Sequence, residues 1–341
     1  MQYLAKLFWG SALSLSCALP ALAGPTLDHV LAARELRCGI VANPEDWNKT
    51  DLHGPLTALD AEICKAIGVA VLGPGAKLQV MAFDSELEAK SGLSKGAVDV
   101  IVGVTPDATS QWQWNIAFGP PVFYDGQAIL VRGDSAVDSL PALAGMKVCV
   151  VEGTDNEKIL LARTIARGIA INALPFQEEG EMDDGLAVRH CDAVSAYVSR
   201  LAQLKLTYPK QLSRDRVLPG LMTLSPITPA YRQGDGQWAR IVDWTVHSLV
   251  QAEASGVTRA NVVAQQASED PVVQRLLGID WATSRALGLQ AKDWAAQVIA
   301  TVGNYGEIYD RTVGEGSPLN LPRGINALWV NGGLMAPLPV Q

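Results

Sequence analysis

The segment GVTPDATSQWQWNIAFGPPVFYDG, residues 103–126, holds two carboxylates, Asp107 and Asp125, two tryptophans, Trp112 and Trp114, and no lysine or arginine. Its other side-chain donors and acceptors include Thr105, Thr109, Ser110 and Gln111. Side chains of these types bind rather than react. Hydroxyls and amides exchange hydrogen bonds, and indole rings cover planar or apolar bodies. Such a surface suits a weakly charged, partly apolar or planar ligand. Trp112 and Trp114 share a face if the segment is extended and diverge if it is helical, so core packing competes with ligand contact for each ring. Trp47, in NPEDWNKTD, either covers a cleft or faces solvent. Thr154 and Asp155 open a helix after VVEG, where backbone amides aimed at an anion compete with an ordinary N-cap. Tyr197 ends the run CDAVSAY and either meets a ligand or fills volume beside its strand. Catalysis has little to draw on: His29, His53, His190 and His247 are isolated and no GxSxG nucleophile motif is present, so the chain reads as a non-enzyme with no cofactor and no metal site.

The first residues, MQYLAKLFWGSALSLSCALPALAG, fit a secretory signal: Lys6, an apolar run from Leu7 to Leu19, and Ala21-Leu22-Ala23 as a small-x-small cleavage site. Cleavage after residue 23 leaves 318 of the 341 residues, enough for two domains. It also removes one base and no acid from 27 basic and 35 acidic residues, moving the net charge from −8 to −9. That balance argues against nucleic acid or an anionic membrane as partner. Four cysteines remain, Cys38, Cys64, Cys149 and Cys191. In an exported chain an even number favours disulfides, and no CxxC spacing points to zinc. Of the three possible pairings, Cys38 with Cys64 and Cys149 with Cys191 keep each bridge inside one domain, given the boundaries below.

The elements that must position these residues alternate. LRCGIVA reads as a strand, LTALDAEICKAIGVAVLG as a helix with Leu59, Ile63, Ile67 and Val71 on one face, and KLQVMAF as a strand. A short helix near SELEAKSGL and the strand VDVIVGV follow, and the latter delivers the 103–126 segment. QAILVRG leads into a second set: strand MKVCVVEG, helix DNEKILLARTIARG, strand IAINALPFQ, helix EMDDGLAVRH, strand CDAVSAY. This βαβ alternation predicts mostly parallel sheets. From about Thr228 the pattern turns helical. Trp238, Ile241, Val242, Thr245 and Leu249 share a face of a helix that Gly256 stops, and AKDWAAQVIATVGNYGEIYDRTVG reads as one late helix.

Several stretches, namely CGI at Cys38, EICKAIGVAVLG, VFYDGQAILVR, VCVVEGT, RHCD, YRQGDGQWARIVDWT, VGNYGEIYDR and GSPLNLPRGINALW, resemble the periplasmic solute-binding proteins of polar amino-acid ABC transporters, in the branch for general L-amino-acid uptake (family 3 extracellular solute-binding proteins). The resemblance covers nearly the whole mature chain. It implies an α/β two-lobed fold of type II, each lobe a mostly parallel sheet flanked by helices, joined by two hinge strands near 127–132 and 218–225. The expected division is a signal peptide at 1–23, lobe 1 at 24–126 and 224–341, and lobe 2 at 127–223. Its implied partners are a small-molecule ligand such as an amino-acid derivative and a permease in the inner membrane, with a periplasmic location.

The resemblance also implies a clamp in which an arginine after the VDVIVGV-like strand holds an α-carboxylate, bidentate by virtue of its planar guanidinium, and an aspartate after the RHCD-like segment holds an α-ammonium. This chain has no lysine or arginine between Lys95 and Arg132, and no aspartate or glutamate between Asp192 and Asp215. The arginine position falls on Gln111 and the aspartate position on Tyr197. The residues expected to face a ligand are therefore Trp47, Thr105, Ser110, Gln111, Trp112, Thr154 and Tyr197. The function expected is a transport binding protein with an altered ligand; the alternative is a periplasmic sensor or protein-partner module on the same scaffold.

Overall fold

The structure is a computed structural model that describes residues 24–42, 56–278 and 282–339. The signal segment, Trp47 and His53 lie outside the described residues. The strands are β1 (Glu35–Val41), β2 (Lys77–Phe83), β3 (Val100–Val104), β4 (Ile116–Phe118), β5 (Phe123–Asp125), β6 (Gln127–Val131), β7 (Lys147–Val151), β8 (Asn172–Phe176), β9 (Ala193–Tyr197), β10 (Arg216–Val217) and β11 (Ser225–Arg232). The helices are α1 (Pro25–Ala33), α2 (Thr57–Leu72), α3 (Glu86–Ser94), α4 (Ala108–Trp114), α5 (Asp155–Ile165), α6 (Glu179–Ala187), α7 (Val198–Thr207), α8 (Pro209–Leu212), α9 (Gly236–Ala254), α10 (Val262–Gln265), α11 (Pro271–Leu276), α12 (Ala282–Leu287), α13 (Trp294–Val302) and α14 (Tyr305–Thr312).

Two sheets form. One has the order β2-β1-β3-β11-β4, with β5 also paired to β11; the other has the order β10-β6-β9-β7-β8. Each contains a parallel trio, β2-β1-β3 and β8-β7-β9, continued by antiparallel strands. The trios arise from βαβ units: α2 and α3 link β1, β2 and β3, and α5 and α6 link β7, β8 and β9. Cys38, Ile40, Val100 and Val102 are fully buried in the first trio, as strands covered on both faces require. On α2, Leu59, Ile63 and Ile67 are buried and Val71 is partly so. The predicted face of α9 is buried throughout, and Trp238 donates its indole N–H to the Asp99 carbonyl at 3.0 Å.

The chain passes between the sheets twice, at Gly126 and across residues 218–224. The passages touch, since a Cβ on Gly126 would stand 2.4 Å from the Thr223 carbonyl oxygen. Gln127 N–H donates to Thr223 Oγ1 at 2.9 Å, and Met222 N–H to the Gln127 carbonyl at 2.8 Å. Both disulfides take the expected pairing. Cys38–Cys64 ties β1 to α2 and Cys149–Cys191 ties β7 to the turn before β9, with Cα separations of 5.9 and 5.8 Å.

Two local expectations change. The late helix is two helices, because Gly303 takes φ +81° and Asn304 then caps α14 in a reciprocal pair with Glu307. The stretch expected to turn helical from about Thr228 first gives the strand β11, which runs to Arg232 before α9 begins at Gly236; the 103–126 segment carries α4, β4 and β5.

Candidate functional site

The carboxyl ends of β1 and β3 on one sheet, and of β7 and β9 on the other, are where parallel α/β sheets bind ligands. At the end of β3, Thr105 is engaged by its own lobe. Its N–H and Oγ1 donate to Glu86 Oε1 at 3.1 and 3.0 Å, and its carbonyl accepts from Lys90 Nζ at 3.0 Å. Lys90 is buried and also pairs with Glu86 at 2.9 Å and Asp107 at 3.0 Å. This is the cation closest in sequence before the 103–126 segment apart from Lys95, and it is spent on holding the loop. Asp107 caps α4 by accepting the Ser110 N–H at 2.6 Å. Burial pushes its carboxyl up, but hydrogen bonds from Ser110 and Lys90 outweigh that and hold it at about 2.

The helix turn of α4 separates the two indoles. Trp112 is 87% exposed, while Trp114 packs against the small core of Ala89, Leu93 and Ile116. The helical alternative for this pair therefore holds. Gln111 is exposed on the same turn, and its side chain makes no hydrogen bond among the described residues.

On the second sheet, Thr154 is the N-cap of α5: its Oγ1 donates to the Val151 carbonyl at 2.7 Å and accepts the Glu157 N–H at 3.3 Å. Asp155 follows it at the first helical position and pairs with Lys158 at 3.1 Å. Tyr197 ends β9 opposite Gln127 and is 37% exposed. Thr105, Ser110, Gln111 and Trp112 thus sit beyond the carboxyl end of the first trio, and Thr154 and Tyr197 beyond that of the second; no single lobe holds them all.

Three polar groups are buried in places that sequence reasoning did not foresee. Gln127 is fully buried and donates Nε2 to the Asn156 carbonyl at 2.6 Å and to Ser195 Oγ at 2.8 Å, leaving its Oε1 without a partner. Asp125 accepts from Ser199 N–H and Oγ, bonding the first passage to α7; burial pushes its carboxyl up against those hydrogen bonds. Asp60, in the first turn of α2, is 3% exposed with Oδ1 unpartnered, and burial, then the Glu86 charge, push it up to about 8. It fills the space beside Gly103, where φ is +89° and a Cβ would fall within 2.2 Å of Asp60 Oδ2. Periodicity places Asp60 on α2 but carries no signal for its isolation. Among the described residues, no cluster of histidine, cysteine, aspartate or glutamate could hold a metal ion.

Two α/β units, each ending a parallel trio at a polar edge and joined by two adjoining passages, define a two-lobed binding protein. The chain belongs to the amino-acid-binding periplasmic proteins of ABC transporters, a family of binding proteins and not of enzymes. It is 34% identical over 335 residues to the general L-amino acid-binding periplasmic protein of Rhizobium johnstonii, covering 96% of each chain. It is 31% identical over 341 residues to the glutamate/glutamine/aspartate/asparagine-binding protein of Rhodobacter capsulatus, covering 98% of each. Among solved structures, an ABC transporter periplasmic binding protein from Brucella ovis with glutathione bound matches with a TM-score of 0.77 and 32% identity, over 93% of this chain and 99% of that one. No family model matches. No helix among the described residues is long and apolar enough to cross a membrane.

Proposed function

We propose that this chain is the periplasmic binding component of an ABC transporter whose cleft takes a ligand other than a free zwitterionic amino acid. The observation that carries this reading is the absence of any cation from residues 96–131 and of any carboxylate from residues 193–214, so that Gln111 and Tyr197 stand where the clamp's two charges would be. Leaving a buried ligand charge without its partner costs about 2–5 kcal/mol. Thr105, Ser110, Gln111 and Trp112 would meet the ligand from lobe 1 (24–126 and 224–341), and Thr154 and Tyr197 from lobe 2 (127–223). Hydroxyl, amide and aromatic groups favour a less charged or planar body. The glutathione-bound relative supports a scaffold that admits ligands larger than one amino acid. Cleavage of residues 1–23 would release the chain into the periplasm, where a permease would be its partner.

Calorimetry on the mature protein tests this. L-glutamate and L-alanine are expected to bind in the millimolar range or not at all, while a thermal-shift screen of amides, amines, small peptides and aromatic metabolites should yield a stabilising ligand by mass action. Micromolar binding of either plain amino acid would overturn the altered-ligand reading. A flat response across the screen would favour a sensor or protein-partner module instead.

A further inference from the structure

Lobe 2 carries a cavity of about 320 Å³ lined by the start of β6 and the second passage between the sheets. Its floor is apolar: Ile129 from β6, with Leu140, Leu218 and Met222. Its remaining wall includes Arg163 from the last turn of α5 and Arg167 from the turn that follows it. Arg163 and Arg167 are four residues apart in sequence, and both side chains are exposed. Neither forms an ion pair among the described residues, although the chain has 35 acidic side chains and a net charge of −8. Arg167 uses Nη1 on the Arg163 carbonyl at 3.2 Å, an ordinary helix-end contact that occupies one of its five donors. The second passage between the sheets lines the same cavity. Leu218 N–H bonds the Ile129 carbonyl and Met222 N–H the Gln127 carbonyl, each at 2.8 Å, so residues 219–221, with Gly220 at φ +88°, connect two anchored points along the cavity's edge.

We infer that this cavity is a second ligand site, for a carboxylate bearing a short apolar chain. The chain would lie on Ile129, Leu140, Leu218 and Met222, and the carboxylate would accept paired N–H bonds from Arg163 and Arg167, geometry suited to a guanidinium fork. Nothing in this inference rests on which ligand the main cleft holds.

Calorimetry with hexanoate, hexan-1-ol and inorganic phosphate on the mature chain is the test. Hexanoate should bind one site at least tenfold more tightly than either of the other probes. Arg163→Gln with Arg167→Gln should weaken hexanoate at least tenfold and leave the melting temperature unchanged, since both side chains are exposed. Met222→Trp, which fills the apolar end, should weaken it as well. Hexanoate binding that matches hexan-1-ol or phosphate, that is absent, or that survives the double arginine variant would overturn the inference; the last result would place the binding elsewhere.

Discussion

On the proposed reading Gln111 and Tyr197 take the clamp's two positions, and the charges can be restored residue by residue. Gln111→Arg together with Tyr197→Asp is expected to bring glutamate or alanine binding into the micromolar range by calorimetry, tenfold for each 1.4 kcal/mol recovered. A double variant that folds and still binds neither would count against these two positions as the seat of the loss. Asp60 supplies a pH dependence. Its folded-state value, about 8, lies above the ordinary 3.8, so between about pH 4 and 8 the folded chain holds a proton that the unfolded chain has released. Stability is therefore greatest below this window and is lost as pH rises through it, at up to about 1.4 kcal/mol per pH unit for this one group. Asp60→Asn should flatten that slope in denaturant melts at pH 4, 6 and 8; parallel slopes would show that Asp60 is not its source. The lack of cations in residues 96–131 and of carboxylates in residues 193–214 is plain in the sequence, because absence over a whole interval survives any alignment. Asp60 is not, since it is buried where Gly103 of β3 leaves room for it and is raised further by the charge of Glu86 on α3.

At the level of elements, strands and amphipathic helices were legible wherever burial on one or both faces imposed a period: β2 falls on KLQVMAF, and α9 buries the five residues its pattern named. The failures lie where a local turn overrides the period. A run from Trp294 to Thr312 looks continuous, yet Gly303 and the Asn304–Glu307 cap divide it. Asn304 also donates Nδ2 to the buried Val257 carbonyl at 2.8 Å. Asn304→Ala should therefore cost about 1–2 kcal/mol in chemical denaturation. The Cys149–Cys191 bridge spans 42 residues. Replacing both cysteines with serine should cost about 2–4 kcal/mol in the loop-entropy account, measurable as a lower melting temperature. No change would mean that the reduced lobe loses little constraint.

For the molecule as a whole, the adjoining passages at Gly126 and 218–224 form the expected pivot. Scattering from apo and ligand-saturated protein should show a smaller radius of gyration with ligand bound, and identical profiles at proven saturation would argue against rotation about these passages. Gly126→Ala forces a Cβ toward the Thr223 carbonyl and should destabilise the chain by roughly 1–3 kcal/mol. The same connectivity has a consequence for the order in which the protein is made. Every strand of the β10-β6-β9-β7-β8 sheet lies in the continuous stretch from Gln127 to Val217, whereas the other sheet needs β11, which comes only at Ser225–Arg232 and joins β3 to β4 and β5. A chain emerging amino end first can therefore complete its second sheet while the first three strands of the earlier one still wait, unsealed, for the strand that closes them.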